Sequence, residues 1–219
     1  MTGSFVTLEV CRVRARDVPR LVASGRRAVR QRRRDPGVVL AKLLGTTGRR
    51  FVPGDVQPTR WALLTCRADG QPASPWSPAA AVSATLHLRP VASRGRWDGV
   101  DPFPGCEGEV GAGPVAVLTR ATLRARHARR FYADVPAIAA EVGVECGARA
   151  AFGFGEAPVL RQGTFSIWES AASLASFHRE ARAHGAAMRR TPQIGWYAEE
   201  LFARLAVVRT VGPVEELLS

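Results

Sequence analysis

The sequence predicts an α+β protein built as a tandem duplicated ferredoxin-like fold, the dimeric α+β barrel arrangement within one chain. Two observations predict it: the same order of strand-like and helix-like segments occurs twice, and a loop-like stretch separates the copies. The 219 residues, 46% of them apolar, suffice for a sizeable core. The predicted boundaries are 1–91 for the N-terminal half, 92–114 for the connecting loop and 115–219 for the C-terminal half.

The first half follows the order strand, helix, strand, strand, helix, strand. Asp17 is a good N-cap for its first helix, whose apolar residues share one face, and Asp35-Pro-Gly ends that helix. A short helical piece is predicted near Ser77 to Ser83. The other predicted elements are strands at 5–13, 38–44, 61–66 and 85–91 and a basic helix at 17–34.

The second half repeats this order. Ser170 can cap its second helix. The segment before this half, 92–114, is rich in glycine, proline and aspartate, which is typical of a loop. The predicted elements are strands at 115–123, 150–155, 163–168 and 205–210 and helices at 125–142 and 170–190.

The charge balance is strongly basic, with a net charge of +12. Lys42 is the only lysine among 31 basic residues, and the other 30 are arginine. A phosphate-binding protein can use both cations, so near-exclusive arginine beside abundant Ala, Gly and Pro indicates GC-rich coding. No nucleic-acid partner is therefore expected. The charge still favours anionic groups such as carboxylates, phosphates or an acidic membrane surface.

The sequence has no recognisable targeting signal and no cysteine spacing typical of a metal site. No apolar run approaches the roughly 18 residues of a spanning helix, so no transmembrane segment is expected. The start, Met1-Thr-Gly-Ser-Phe, has no basic head followed by an apolar run, so we expect no secretory signal and a cytoplasmic protein. Cys11, Cys66, Cys106 and Cys146 are widely separated and lack zinc-site spacing, which predicts buried or incidental thiols.

Five pieces of the sequence carry a resemblance to a known family. They are Arg89-Pro-Val-Ala-Ser-Arg-Gly-Arg-Trp-Asp-Gly99, Leu118-Thr-Arg-Ala-Thr-Leu-Arg124, Gly153-Phe-Gly-Glu-Ala-Pro158, Thr164-Phe-Ser-Ile-Trp168 and Gly195-Trp-Tyr-Ala-Glu-Glu-Leu-Phe-Ala-Arg204. Together and in this order, they resemble the spheroidene monooxygenase family of carotenoid biosynthesis. The resemblance is strong from about residue 85 to 210, and before residue 85 only the general pattern of the sequence agrees.

The resemblance implies an oxygenase that acts on a hydrophobic or secondary-metabolite substrate. In the family the reaction inserts oxygen at an allylic carbon of a carotenoid end, and a haem (iron protoporphyrin) has been associated with it. The resemblance also implies a link to haem-binding α+β barrel proteins such as dye-decolourising peroxidases and chlorite dismutases. Those hold iron through a histidine on a helix of the C-terminal half. An electron donor and an oligomer are compatible with this interpretation, and the sequence identifies neither.

His184 is the candidate iron ligand and catalytic residue. An imidazole on an apolar helix face needs a hydrogen-bond partner or a metal, and the adjacent Gly185 leaves room for a flat cofactor. Its position also matches a histidine of the family pattern. A core histidine with a backbone partner is the alternative. The apolar stripe that His184 interrupts consists of Phe177, Ala181 and Met188.

The other three histidines are weaker candidates. His178 is rotated off the face of His184 and is predicted to flank the site or to be exposed. His127 lies in a basic helix start, and His87 alternates with two leucines and faces away from them.

Arginine and aromatic residues complete the predicted site. Arg94 and Arg96, in the connecting loop, are predicted to neutralise haem propionates or an acidic substrate through bidentate contacts. Arg120 is the next candidate because it interrupts an apolar strand, and with His184 it is predicted to be catalytic. A set of aromatic residues is predicted to form a cofactor wall, with ordinary core as the alternative. These are Trp97, Phe152, Phe154, Phe165 and Trp168.

Motifs of nucleotide chemistry and of hydrolysis are absent from the sequence. Gly153-Phe-Gly-Glu-Ala does not continue to a third glycine, and no P-loop, GxSxG or HExxH occurs. Glu199 and Glu200 are predicted to lie in a helix with Arg204 as surface charge.

Three functions remain open on the sequence. The leading one is a haem-dependent oxidoreductase of the monooxygenase type, although haem enzymes on this scaffold also perform dehydration or peroxidation. The second is a cofactor-free monooxygenase of the antibiotic-biosynthesis type. The third is a non-catalytic protein whose basic helices, at 17–34 and 124–130, bind an acidic partner.

Overall fold

The chain folds into a closed barrel of eight strands with helices packed on its outside. The computed structural model describes residues 3–76, 78, 81–141, 147–157, 160–180 and 194–218. Within them the strands are β1 (Phe5–Arg12), β2 (Val38–Thr47), β3 (Val56–Arg67), β4 (Val82–Gly95), β5 (Val115–Leu123), β6 (Ala148–Ala157), β7 (Arg161–Trp168) and β8 (Tyr197–Val211). The helices are α1 (Val18–Arg32), α2 (Ala128–Glu141), α3 (Ala171–Glu180) and α4 (Val214–Leu218).

The strands pair in the order β1-β3-β2-β6-β7-β5-β8-β4, and β4 closes the barrel on β1. The four strands of each half have the same relative order, β4-β1-β3-β2 in one and β8-β5-β7-β6 in the other. The halves meet at a short seam, where Gly45 and Thr46 of β2 pair with β6, and at a long seam between β4 and β8. The predicted α+β class is confirmed as a mixed α/β barrel.

Apolar residues occupy alternate positions along the strands, and their side chains fill the barrel interior. Phe152 and Phe154 on β6 point inward with Phe165 on β7, and each is at most 3% exposed. α4 packs into the same core, with Leu217 fully buried. Arg60 holds it there by donating a hydrogen bond of 2.7 Å to the Leu217 carbonyl. α4 is absent from the sequence prediction because five residues carry too little periodicity.

Trp97, just after β4, also packs into the barrel interior. Its ring stacks on Phe154, with the centroids 5.9 Å apart and the planes 12° from parallel. This packing requires a glycine at position 163 on β7. A Cβ at Gly163 would lie 2.3 Å from the Phe154 ring and 2.2 Å from the Thr119 carbonyl oxygen.

The long helices cover the outside of the barrel. α1 packs on the first half through Leu21, and Gly25 allows its close approach, since a Cβ there would lie 2.6 Å from Leu43. Arg32 at its end donates to the buried Glu9 carboxylate at 2.7 Å. α2 and α3 cover the second half.

Both ends of β4 differ from the prediction. The strand begins at Val82, so the predicted helical piece is wrong at its end, Ser83. Ser77, where that piece begins, lies outside the described residues. At the other end, residues 92–95 extend β4 because they pair with β8, so the loop between the halves is shorter than predicted.

Two helix starts and one strand test local predictions. Asp17 occupies the N-cap position of α1 as predicted, but its backbone is helical and its side chain makes no capping bond. Ser170 does cap α3, because its Oγ accepts a 3.1 Å bond from the Ser173 amide. Residues 197–204 belong to β8, so the predicted helix for Glu199 and Glu200 is wrong. Successive strand residues face opposite sides, which separates these two glutamates.

Candidate active site

A cavity of about 750 Å³ lies between the outer face of the second half-sheet and the helices α2 and α3. Its volume falls in the range of roughly 300–1,000 Å³ that is usual for small-molecule and cofactor sites. We call the side of the cavity formed by β7, β5 and β8 the floor, and the side formed by α2 and α3 the roof.

The strand register sets the floor. Thr164 on β7, Thr119 on β5 and Phe202 on β8 lie opposite one another across the sheet, and Arg94 on β4 continues the row. Residues paired across antiparallel strands share a face, so all four belong to the floor. The next row is Ser166, Val117 and Arg204.

The roof is mostly apolar. Phe131 and Val135 of α2 line it, together with Leu174 and Phe177 of α3. Phe177 also contacts Trp168 at the edge of the floor, with the ring centroids 4.8 Å apart. This aromatic contact fixes α3 against the sheet.

Trp196, only 3% exposed, lies between the cavity and a basic surface. On the cavity side its ring is 5.9 Å from that of Phe131. On the outer side the Arg130 guanidinium lies 5.7 Å from the Trp196 ring centroid, and the His127 ring packs edge-on at 6.0 Å. The start of α2 therefore carries arginines up to the rim of the cavity.

His178 lines the roof and is half-buried. The sequence predicted a flanking or exposed residue, and the structure instead gives it a place in the cavity wall. Burial lowers the pKa of its imidazole, and the charge of Arg204 lowers that pKa further. The ring is therefore held in its neutral form, which can ligate a metal or accept a proton.

A charged cluster lies beneath the floor, at the mouth of the barrel. Arg120 is 2% exposed and donates to the Glu199 carboxylate, and it lies 3.3 Å from Asp98 and 3.5 Å from Glu156. The Trp97 indole donates to Glu156 at 2.8 Å. The ion-paired members are Lys42, Arg120 and Arg161 with Asp98, Glu156 and Glu199, so three cations face three carboxylates.

Two carboxylates of this cluster have lowered pKa values. For Glu199, burial alone would raise the pKa, but hydrogen bonds from the Gly99 and Asp98 amides and the charge of Arg120 together lower it. For Asp98, burial again acts upward and is outweighed by Lys42, then by Arg120 and Arg161. Both groups are therefore held as carboxylates.

The predicted site residues fall into four groups. Arg94, Arg120 and Trp168 line the cavity. Arg96 is exposed and donates to the Gly99 carbonyl at 2.9 Å. His184 and Met188 lie outside the described residues. The remaining predicted residues lie inside the barrel, on the other side of the sheet from the cavity: Trp97, Phe152, Phe154 and Phe165.

Sequence reasoning missed the cavity side of β8. Phe202 lines the cavity and Arg204 lies on the same outer face of β8, opposite Val117, whereas Leu201, Ala203 and Leu205 face the barrel core. This alternation is present in the sequence and indicates a strand. It was overlooked because the adjacent Glu199 and Glu200 resemble the polar face of a helix.

Metal-ligand clusters and membrane helices are not found in the described parts of the chain. No group there of three or more His, Cys, Asp or Glu residues could hold a metal ion. None of the helices described has the length and apolar character that a membrane span needs.

The fold and cavity together define an α/β barrel protein with a mostly apolar cavity on its second half-sheet. Among solved structures, an aldoxime dehydratase (OxdRE) in complex with butyraldoxime has the same fold, with a TM-score of 0.59. The sequences are 11% identical over 94% of this chain and 80% of that one. No model of a known protein family matches the sequence.

Curated relatives give the family. The spheroidene monooxygenase of Rhodobacter capsulatus is 36% identical over 191 residues, which cover 81% of this chain and 79% of that protein. The enzyme of the same name from Cereibacter sphaeroides is 38% identical over 141 residues, 64% of this chain and 44% of that protein. The chain belongs to the spheroidene monooxygenase family, and with it to the monooxygenases, enzymes that carry out an oxidation.

Proposed function

We propose that the chain is a haem-dependent monooxygenase of the spheroidene monooxygenase type, and that the cavity over β7, β5 and β8 is its reaction chamber. The observation that carries the proposal is a cavity of about 750 Å³ with a mostly apolar wall in a member of this family. We also propose that the two halves arose by duplication, since their strands follow the same order.

The wall chemistry supports a hydrophobic substrate. Val117, Trp168 and Leu174 offer apolar and aromatic surface, which binds hydrocarbon by excluding water. Two of the polar groups of the floor, Thr119 and Thr164, hydrogen-bond to each other at 2.6 Å. Their hydroxyls are therefore partly satisfied before a ligand arrives, and the floor can accept an apolar molecule at low cost.

The residues present fit a haem. A haem needs a single protein ligand to its iron, commonly a histidine, whereas most other metal sites need several clustered ligands, which the described residues lack. The cavity wall offers a neutral imidazole, His178, and flat aromatic surfaces. When bound, a haem supplies the iron chemistry that activates dioxygen. The chain's own residues bind and orient the substrate and exclude water.

His184 is our proposed iron ligand. The support is its place on the apolar stripe of the sequence 170–190, since residue 184 lies outside the described part of the chain. His178 is the competing candidate, because it is the histidine that lines the described part of the cavity.

Haem titration of the purified protein tests the proposal. We expect a Soret band in the wild type and in the control His87→Ala, whose ring lies on β4 in the first half. His184→Ala should lose or shift the band, while His178→Ala should retain it. The reverse result would move the ligand to His178. No Soret band in the wild type would contradict haem dependence and favour the cofactor-free alternative.

A further inference from the structure

We propose that Arg94 and Arg204 form a carboxylate-binding subsite at the β4 side of the cavity. The ligand would be a mostly apolar molecule that carries an acid group, either haem through a propionate or a hydrophobic substrate with a carboxylate. The subsite depends on one part of the proposed function, namely that the cavity binds a ligand of this kind.

The register makes Arg94 and Arg204 diagonal neighbours on one face of the sheet. Arg94 lies opposite Phe202, and Arg204 follows Phe202 by two residues on the same face of β8. Such diagonal neighbours have Cβ atoms roughly 7–8 Å apart, well within the reach of two arginines. The Arg94 guanidinium lies 5.7 Å from the Phe202 ring centroid, which aligns it along the floor.

Neither arginine has a counter-ion in the described residues. No carboxylate there lies within ion-pair distance of either group, although Glu200 lines the same cavity. The sequence 181–193, outside the described residues, contains no aspartate or glutamate. The positive charge on this side of the cavity is therefore uncompensated by the described chain.

Arg204 also carries an unsatisfied donor. Its Nε is buried and has no hydrogen-bond partner in the described structure. A buried donor without a partner is costly, so a ligand oxygen that accepts from it would be favoured. Arg204 is close enough to the cavity wall that its charge, after burial, lowers the pKa of His178.

A carboxylate fits this pair better than a neutral group does. Arginine donates two parallel hydrogen bonds to a carboxylate, and the burial of the Arg204 Nε would strengthen a bond from that atom, whereas Arg94 is exposed. The neighbouring Val117, Leu174 and Phe177 would hold the apolar body of the ligand. An amphiphile with one acid end therefore matches both parts of the cavity.

Paired ligands that differ only in the acid group test the subsite. Haem is compared with its dimethyl ester by Soret titration, and hexadecanoate is compared with hexadecanol by quenching of tryptophan fluorescence. The proteins compared are the wild type and the variants Arg94→Gln, Arg204→Gln, Arg94→Lys and Arg204→Lys. The control is Arg20→Gln, whose side chain is 90% exposed on α1.

We expect the wild type and the control to prefer the acid in at least one pair by about 10- to 100-fold, the strength of hydrogen bonds to a charged group. Each glutamine variant should lose most of that preference, and lysine should restore part of it. A preference in the haem pair identifies the propionates as the ligand group, and one in the fatty pair identifies a substrate acid.

Equal binding of acid and neutral ligand in both pairs would overturn the subsite, as would a preference that survives in both glutamine variants. If haem gives no Soret band while hexadecanoate is preferred through Arg94 and Arg204, the haem proposal fails and the subsite stands.

Discussion

Arg120 on β5 donates a hydrogen bond to the carboxylate of Glu199 on β8, and both residues line the cavity. The arginine side chain is 1% exposed and that of the glutamate 25% exposed. The bond joins two neighbouring strands of the floor.

Replacing Arg120 should destabilise the protein strongly. Arg120→Met leaves Glu199, Glu156 and Asp98 without their central cation, and breaking a buried pair in this way costs about 3–5 kcal/mol. Urea denaturation measures the loss. The control Arg89→Met, at an exposed position of β4, should change the free energy of unfolding by no more than about 0.5 kcal/mol. A loss below about 1 kcal/mol for Arg120→Met would contradict this role.

The same cluster predicts a sensitivity to acid. The pKa of Glu199 is lowered in the folded state from its ordinary 4.5, so the unfolded state binds more protons below that pH. Stability contributed by Glu199 is therefore present above about pH 4.5 and is lost as the pH falls through the folded pKa.

Glu199→Gln tests this linkage. The free energy of unfolding of the wild type should exceed that of the variant at about pH 7, and the difference should shrink at about pH 3. The exposed Glu107→Gln is the control, since it leaves the cluster intact. A difference for Glu199→Gln that stays constant with pH would show that the carboxylate charge contributes nothing.

Gly163 should tolerate no side chain. In Gly163→Ala the new Cβ would meet the Phe154 ring at 2.3 Å and the Thr119 carbonyl oxygen at 2.2 Å, and overpacking of this kind costs about 1–3 kcal/mol. Thermal or urea unfolding measures it. Gly111→Ala is the matched control, because a Cβ there meets nothing within 4 Å. Equal stability of the two variants would contradict the packing of Trp97 on Phe154.

The contact between Phe177 and Trp168 should hold the roof on the floor. Phe177→Ala removes a ring that is 4% exposed, which costs about 3–5 kcal/mol in buried positions and enlarges the cavity. The surface change Val208→Ala, at a residue 51% exposed, should stay within about 0.5 kcal/mol. Denaturation followed by tryptophan fluorescence reports both. If Phe177→Ala were as stable as the wild type, the packing of α3 on the floor would contribute little to stability.

Strand alternation made most of the fold predictable from the sequence. β5 was predicted with its observed bounds, because Val115 to Leu123 is a run of apolar and β-branched residues that only Arg120 interrupts. Ser170 was predictable as a cap, since capping depends on neighbouring residues only. The strand at Glu199 differs from the predicted helix because the adjacent glutamates resemble a polar helix face, and the partner of Glu199, Arg120, is 79 residues away and is not revealed by any local pattern.

The candidate site was predictable only in part. Arg120 was singled out as a charge in an apolar strand, but its carboxylate partners come from three different segments of the chain. The aromatic residues of β6 and β7 were grouped as one wall, yet Phe165 faces the barrel and Trp168 faces the cavity. Residues three apart on a strand lie on opposite faces, so that division was available from spacing alone.

Oxygen incorporation in a cavity-blocked variant tests the central claim, that the cavity is where oxidation occurs. Ala121→Trp places a large ring on the floor, whereas Ala23→Trp adds the same ring to the exposed face of α1. Each protein is supplied with spheroidene, haem, a reductant and isotopically labelled dioxygen, and the product is analysed by mass spectrometry. We expect labelled product from the wild type and Ala23→Trp, and a loss of at least about tenfold in Ala121→Trp, the effect of about 1.4 kcal/mol in transition-state binding. Undiminished labelled product from a folded Ala121→Trp would contradict the claim.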